Sequence, residues 1–414
     1  MQKKMPKISI IGAGAAGCFC AIEIARNCPG VQVEVFEAGR KPLAKVAVTG
    51  GGRCNLTNSF EDIRDLKEAY PRGHQVMKRA FYSFDQNSTW EWFEKEGVRL
   101  TLQEDRCVFP VSQDAMQIVK TLLKLMDRYG VTLHTGTKVE HIRDIDSDFV
   151  VLTTGGTNKT MLESLLDGTG TGYEEPVASL FTFKAEGMTD LMGTVVENAS
   201  ASIPGTKFKA NGPLLITDWG FSGPSILKLS SYAARHLHDN GYKSPLLINW
   251  LGKNTNGKEF NADQAREILD RMAAANPQKQ LASIHPEVFS SRLWESLLVQ
   301  AGLSPEKRWA ETGSKGLAKL ASVLTGAQYE ILGRARFKDE FVTCGGVSLS
   351  DVNLSTLEAK NFPGLYFAGE VLDIDAITGG FNLQAAWSTA YTAARSIISC
   401  VHRTEGMESQ CHSH

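Results

Sequence analysis

The 414-residue sequence lacks features that several classes of protein need. It has no uncharged apolar run long enough to cross a bilayer, which argues against a membrane protein. Its 44 Lys and Arg residues are balanced by 46 Asp and Glu residues. The resulting formal net charge of -2 argues against nucleic acid or an anionic membrane surface as a partner. Zinc-ligand spacing, a P-loop and a nucleophile elbow are also missing, and we predict no metal site.

The cysteines and the N-terminus favour a cytoplasmic protein. The eight cysteines are scattered and include no C-x-x-C pair, which argues against a dithiol redox centre and is typical of reduced thiols. Residues Met1–Lys7 are basic. The glycines in the apolar stretch behind them are typical of a strand, a turn and a helix start, so we predict no secretory signal.

Local patterns predict an α/β domain interrupted by an insert. Strands and helices alternate at first, short strands and turns follow, then amphipathic helices, and the last part is again α/β. We predict a first part of the α/β domain at 1–174, a β-rich insert at 175–258 and 326–338, a helical insert nested in it at 259–325, a second part of the α/β domain at 339–402, and a polar tail at 403–414.

The N-terminal pattern is typical of dinucleotide binding. A predicted strand from Lys7, a helix at Cys18–Arg26 and a second strand at Val31–Glu37 surround a G-x-G-x-x-G turn. In such a turn the first glycine permits the bend, the second lets a pyrophosphate approach the backbone, and the third allows close helix packing. A carboxylate at the second strand end can accept hydrogen bonds from a ribose. The candidate contacts are Gly12, Ala13, Gly14, Ala15, Ala16, Gly17, Glu37 and Ala38.

The C-terminal part favours FAD over NAD. A predicted strand, Leu365–Gly369, ends in Glu370, and Gly379-Gly380 opens a helix whose positive end would lie near flavin N1 and the C2 carbonyl. The alternative is a solvated acid and a simple turn. Further candidate contacts are Val139, Thr154, Gly155 and Gly156 at two predicted strand ends, and Gly369, Glu370, Gly380, Phe381, Asn382 and Leu383 at this helix start.

A glycine-rich loop from Thr49 to Asn58 offers a backbone that can curl around a ring or a phosphate. Its candidate contacts are Gly51, Gly52, Arg53, Cys54 and Asn55, with Lys45 just before it. Cys54 is either a packed small residue or a reactive thiol whose pKa is lowered by glycine N–H groups and Arg53. Lys45 either approaches the flavin or is solvated.

These motifs together resemble a bacterial family of FAD-dependent oxidoreductases that includes bile-acid-inducible reductases and aminoacetone oxidases. The resemblance runs from Lys7 to Ile398 and includes Gly50–Asn55, Gly168–Gly172, Thr343–Val347 and Gly369–Gln384. It implies a two-piece Rossmann-like FAD domain with an inserted β-barrel-like domain and a nested helical domain. The stretches 143–151 and 157–166 depart from the family pattern.

The resemblance implies hydride transfer between flavin N5 and a small organic substrate held between the FAD domain and the insert. A reductase of an activated C=C bond, an oxidase of a small amine, an RNA-modifying flavoprotein and a non-catalytic flavin-binding module stay open. With no second G-x-G-x-x-G unit, an NAD(P)H donor would bind transiently in the substrate cleft. Arg334, Arg336 and Lys338 either face the substrate or form a solvated edge. No catalytic residue and no oligomeric state follow from the sequence.

Overall fold

The computed structural model describes residues 5–187, 189–335 and 342–411. The chain divides into two compact units, Met1–Val177 with Val342–His414, and Ala178–Phe341. The first unit therefore contains both ends of the chain, as the predicted two-piece domain requires. The finer boundaries of the β-rich and helical inserts stay predictions.

Strands and helices follow one another along the chain in three stretches. The first contains β1 (Lys7–Ile11), α1 (Ala15–Asn27), β2 (Gln32–Glu37), α2 (Ala44–Val48), β3 (Thr57–Asn58), α3 (Leu66–Ala69), α4 (His74–Ala80), α5 (Gln86–Lys95), β4 (Leu100–Leu102), β5 (Cys107–Pro110), α6 (Ala115–Arg128), β6 (Thr132–Thr135), β7 (Phe149–Leu152), α7 (Lys159–Leu166) and β8 (Tyr173–Ser179). The second contains β9 (Phe183–Lys184), β10 (Val195–Ser202), β11 (Lys209–Ile216), β12 (Gly220–Ser222), α8 (Pro224–Tyr232), α9 (Ala234–Asp239), β13 (Ser244–Asn249), α10 (Ala262–Ala275), α11 (Ser291–Gln300), α12 (Gly313–Gly326), β14 (Ala327–Ile331) and β15 (Gly333–Arg334). The third contains β16 (Val342–Val347), β17 (Leu365–Phe367) and α13 (Phe381–Cys411).

A parallel sheet forms the centre of the first unit. Its strand order is β17-β7-β1-β2-β6, and each neighbouring pair is parallel. Ile8 and Ile10 of β1 are fully buried, as expected for a strand covered on both faces. Because β17 comes from the C-terminal part of the chain, the predicted Rossmann-like domain built from both chain ends is confirmed. From β1 the chain adds β2 and β6 on one side of the sheet, and then β7 on the other side. Open α/β sheets bind ligands at such a switch point, which here lies between β1 and β7.

Glycines shape the turn between β1 and α1. Gly12 has φ +109°, and its N–H donates to the Phe36 carbonyl at 2.7 Å. A Cβ at Gly17 would lie 1.9 Å from the Gly12 carbonyl oxygen, so only glycine allows the first turn of α1 to approach this closely. The Thr153 hydroxyl donates to the same carbonyl at 2.9 Å and links the turn to the end of β7.

Several predicted elements differ from the observed ones. The strands predicted to end near Val139 and Thr154 end earlier, at Thr135 and Leu152. Short helices α2, α3 and α4, and the small sheet of order β3-β5-β4, lie where the sequence predicted loops or no element. Such short elements carry too few residues to show a period. Helix α13 continues through Cys411, beyond the predicted end of the domain.

The second unit contains a seven-stranded sheet and three helices that follow β13. The strand order is β14-β13-β10-β11-β12-β9-β15, so the two edge strands are separated in the chain only by Leu332. No ladder joins these edges in the described part of the unit, so the β-barrel-like insert that the resemblance implied contains a sheet without a detected closure. Trp294 and Trp309 are buried. Across the described ranges, no helix combines the length and apolar composition needed to cross a bilayer.

We predict that Gly17→Ala destabilises the first unit, because the added methyl group would overlap the Gly12 carbonyl oxygen. Overpacking of this kind costs about 1–3 kcal/mol. Urea unfolding of the variant and of the wild type measures the difference. Gly30→Ala is the control, since a Cβ there would meet no atom within 4 Å. Equal midpoints for the two variants would contradict this account of the turn.

Candidate cofactor site

The predicted cofactor contacts follow the carboxyl ends of the parallel strands. Gly12 follows β1, Glu37 ends β2, Thr154 lies two residues after β7, and Gly369 lies two residues after β17. Because the strands are parallel, these ends lie along one edge of the sheet, which is the edge where such folds bind nucleotides. The roles of the individual residues stay predictions, but the fold brings their positions together.

One pocket at this edge includes five of the predicted contacts. It is lined by Gly12, Glu37, Ala38, Val139 and Thr154 together with Ile11, Phe36, Thr137, Lys138 and Met161, which the sequence did not indicate. These missed residues belong to no motif, and only the neighbouring strand ends could have suggested them. Met161 lies on α7, within a segment that departs from the family pattern.

Glu37 is oriented within the pocket by backbone donors. Its Oε2 accepts the Ala13 N–H at 2.8 Å, and its Oε1 accepts the Gly39 N–H at 2.7 Å. Each carboxylate oxygen keeps a second lone pair, which can accept a sugar hydroxyl. The hydroxyl oxygen of Thr154 is buried and has no hydrogen-bond partner within the described residues. Both features suit a polar ligand in this pocket.

The Glu370 side chain contacts two other segments of the chain, at Thr343 and at Lys45. Its Oε1 accepts the Thr343 N–H at 2.8 Å, and its Oε2 lies 3.4 Å from Lys45 Nζ. A Cβ at Gly156 would lie 2.6 Å from Glu370 Oε1 and 2.2 Å from the Thr343 hydroxyl oxygen, so glycine is required beneath this carboxylate. Lys45, which by sequence either approaches the flavin or is solvated, is mostly exposed and pairs with Glu370.

The glycine-rich loop meets the start of α13. The Asn58 amide donates to the Gly379 carbonyl at 3.0 Å. With its amide assigned to satisfy both partners, Asn55 accepts the Gly380 N–H at 3.2 Å and donates to the Thr57 carbonyl at 3.0 Å. A Cβ at Gly380 would lie 2.3 Å from the Thr57 carbonyl oxygen. Two motifs from opposite ends of the sequence therefore form one surface.

Left-handed backbone conformations curl the glycine-rich loop. Gly50, Gly51 and Gly52 have φ of +59°, +68° and +82°, and Cys54 has φ of +61°. The Arg53 guanidinium lies 4.5 Å from the centre of the Phe109 ring, and its Nε donates to the Gly50 carbonyl at 3.3 Å. A non-glycine residue in the left-handed region stores strain, which is typical of functional loops.

The possibility that Cys54 is an activated thiol is wrong. Its side chain is fully buried, and burial raises the pKa of the Cys54 thiol to about 12. Arg53 is exposed and its guanidinium stacks on Phe109. The sequence placed Arg53 and the glycine N–H groups next to Cys54, but only the fold shows that desolvation decides the thiol's pKa.

FAD fits this set of residues. A Cβ at Gly14, Gly51 or Gly52 would meet no atom within 4 Å, so open backbone is exposed both at the start of α1 and in the glycine-rich loop. The first-turn N–H groups of α1 have no acceptor within the helix and suit a pyrophosphate. Glu37 and the Thr154 hydroxyl suit the adenosine half, and the surface at Asn55 and Gly380 suits the flavin half.

Three other sequence predictions concern a group of basic residues, a metal site and the substrate cleft. Arg336 and Lys338 lie outside the described residues, whereas Arg334 lies in the second unit with its guanidinium 4.9 Å from the centre of the Tyr242 ring. Among the described side chains, no group of three or more His, Cys, Asp or Glu residues is arranged to hold a metal ion. The substrate cleft between domains stays a prediction.

The fold and the glycine motifs define a Rossmann-type flavoprotein, and comparison with known families gives the more specific assignment. The family model described as the HI0933-like protein Rossmann domain matches residues 6–396. The chain belongs to this family and is an FAD-dependent oxidoreductase, as the sequence predicted.

Individual relatives are similar over nearly the whole chain. The 3-dehydro-bile acid delta(4,6)-reductase of Clostridium scindens is 28% identical over 433 residues, covering 95% of this chain and 99% of the relative. The ribosomal RNA dihydrouridine synthase of Escherichia coli is 28% identical over 416 residues, covering 94% and 97%. Among solved structures, the 3-ketosteroid delta1-dehydrogenase of Sterolibacterium denitrificans has a TM-score of 0.49 and 11% identity, covering 96% of this chain and 100% of that one.

We predict that Glu37→Gln weakens FAD binding by about tenfold to a hundredfold. The substitution removes a charged acceptor and turns an amide NH₂ group toward the Ala13 or Gly39 N–H. Hydrogen bonds to charged groups are worth about 1.5–3 kcal/mol. Titration of apoprotein with FAD, followed by flavin fluorescence, measures the dissociation constant. Glu34→Gln, on the same strand and paired with Lys7, is the control and should stay within about twofold of wild type.

We predict that Cys54 resists alkylation in the folded protein. With its pKa raised to about 12 by burial, the thiol stays protonated through the neutral range, so the reactive thiolate is nearly absent. Peptide mapping by mass spectrometry after iodoacetamide treatment at several pH values measures the rate. Urea-unfolded protein supplies the positive control. Rapid labelling of native Cys54 that titrates below pH 9 would rule out this assignment.

Proposed function

We propose that this protein uses FAD to reduce a C=C bond conjugated with a carbonyl group. The observation that carries the proposal is the shared chemistry of two relatives that match 94–95% of the chain. A delta(4,6)-reductase of a 3-dehydro bile acid saturates bonds conjugated with a ketone. Dihydrouridine differs from uridine by a saturated bond next to a ring carbonyl. Both reactions add a hydride and a proton to an electron-poor alkene.

The described residues support a reducing role in two ways. Asn55 and Gly380 form a neutral, hydrogen-bonded surface that can orient a flat ring system, and the buried Asn58 amide supports it from below by donating to the Gly379 carbonyl. The start of α13 provides first-turn N–H groups and the positive end of a long helix dipole, which stabilises negative charge. When bound, FAD supplies the hydride chemistry itself. The protein then binds and orients the flavin and provides its electrostatic environment.

NAD(P)H is the proposed electron donor. The sequence contains one G-x-G-x-x-G pattern, at Gly12–Gly17, and FAD is assigned to it. A nicotinamide donor would therefore bind transiently at the flavin rather than in a second Rossmann domain. This arrangement predicts that the donor leaves before the acceptor binds, as in ping-pong kinetics.

A uracil ring within RNA is the second candidate substrate. The relative from Escherichia coli favours it, because that protein is named for dihydrouridine synthesis in ribosomal RNA. The nearly balanced charge of this chain favours a small molecule instead, since proteins that bind RNA phosphates gain affinity from clustered Lys and Arg. A small-amine oxidase is the alternative from a different reaction type.

Anaerobic stopped-flow spectroscopy of the FAD-loaded protein tests these candidates. We predict that NADH or NADPH bleaches the flavin band, and that a steroid enone with a 4-ene-3-oxo group restores it. Reoxidation by uridine-containing RNA, but not by the enone, would select the RNA candidate, and its rate would fall steeply with salt. Bleaching by a primary amine alone, with recovery in air, would overturn the reductase proposal in favour of an oxidase.

A further inference from the structure

The segment from Gly369 to Gly380 links two predicted flavin contacts, Glu370 and Gly380. Residues 69–73 pack against this segment and form a hydrogen bond to it. The Ile377 N–H donates to the Ala69 carbonyl at 2.9 Å. A Cβ at Gly73 would lie 2.5 Å from Ile374 Cγ1, so the two backbones are in close contact there. We call Gly369–Gly380 the flavin loop. Its backbone contacts residues 69–73.

A buried ion pair lies at the centre of this contact. The Arg72 guanidinium donates through Nε and Nη2 to the two carboxylate oxygens of Asp375, and the two residues also form an antiparallel backbone bridge. The Asp375 side chain is 0% exposed and that of Arg72 is 17% exposed. The negative charge of Asp373, two residues before Asp375, also helps to raise the pKa of the Arg72 guanidinium. Charges buried this deeply interact strongly because little water screens them.

The ion pair is connected to the start of α13 through the backbone of the next residue, Ala376. Asn382, in the first turn of this helix, accepts the Ala376 N–H at 3.0 Å and donates to the Ala376 carbonyl at 3.1 Å. Ala376 is the residue after Asp375. On the same side, the Tyr70 hydroxyl donates to the Phe381 carbonyl at 2.9 Å. The position of the helix start therefore depends on the same short segment that carries Arg72.

We propose that Arg72 and Asp375 are positioning residues that hold the flavin loop while their opposite charges cancel, so that the preference of the site for reduced over oxidised FAD shifts when one charge is removed without the other. The proposal rests on the assignment of this site to FAD. Reduction adds negative charge to the cofactor, so a more negative neighbourhood opposes reduction and a more positive one favours it. An apolar contact could hold the loop equally well, but it would not make reduction depend on charge.

The net charge of Arg72, Asp373 and Asp375 can be changed by one unit with a single substitution. Asp375→Asn removes one negative charge, and Arg72 keeps Asp373 as an anionic neighbour. Arg72→Gln/Asp375→Asn removes one charge of each sign and restores the original balance. Arg72→Gln alone is less informative, because a buried carboxyl group can take up a proton whereas an arginine stays charged.

The test compares the midpoint potential of bound FAD with that of free FAD and converts the difference into the ratio of affinities for reduced and oxidised cofactor. We expect Asp375→Asn to raise this ratio by about tenfold, and the double variant to return within about twofold of wild type. Glu96→Gln is the matched control. It also neutralises a buried carboxylate bound to an arginine, and Arg26 likewise keeps a second carboxylate, Glu23, at 3.4 Å.

The outcomes separate this inference from the proposed function. A lower melting temperature of the Asp375→Asn apoprotein with an unchanged affinity ratio would show a purely structural pair and overturn the inference. An equal rise in Glu96→Gln would overturn it too, because the effect would be nonspecific. If Asp375→Asn does not fold, Asp373→Asn makes the same change in charge with the pair intact, and must raise the ratio. Failure of the wild-type protein to bind FAD would instead contradict the proposed function.

Discussion

The site depends on one close approach between distant parts of the chain, where the backbone at Gly380 lies against the Thr57 carbonyl. Two buried contacts hold this approach in place. The Thr57 hydroxyl donates to Gln384 Oε1 at 2.5 Å, and the Trp387 indole N–H donates to the Leu56 carbonyl at 3.1 Å. Because Gln384 and Trp387 lie one turn apart on α13, the helix whose N-terminus we propose to face the cofactor also anchors the glycine-rich loop. The position of the glycine-rich loop and the positive end of the helix dipole therefore depend on the same helix.

The order of the parallel sheet explains why residues so far apart in sequence can act together. Strand β1 lies between β2 and β7, and β17 completes the sheet on the far side of β7. Loops that follow these strands share one edge, so each needs only a few residues to reach the cofactor. The second unit is inserted between β8 and β16, which form their own two-stranded sheet. The point of insertion in the chain therefore lies outside the parallel sheet.

Much of the site could be predicted because glycine motifs express backbone requirements that are local. Gly12 and Gly17 are required by a positive φ and by a close approach to the turn's own carbonyl, and both requirements follow from the spacing. Phe36 and Met161, which line the same pocket, gave no such signal. Their role depends on which strand ends and helix lie side by side. A stacked contact between Phe36 and His134, with ring centres 4.9 Å apart, likewise joins two strands that are distant in sequence.

The sequence alone determined the Rossmann-like fold, the use of FAD and the glycine-rich turns, because strand periodicity and glycine spacing act over a few residues. Only the tertiary structure decided the state of the buried charged and ionisable side chains. Cys54 follows an arginine in sequence, yet burial keeps its thiol protonated. Arg72 belongs to no motif, yet it forms a buried pair with Asp375. The physical reason is that desolvation and Coulomb energy depend on the three-dimensional surroundings of a charge, which sequence neighbours do not specify.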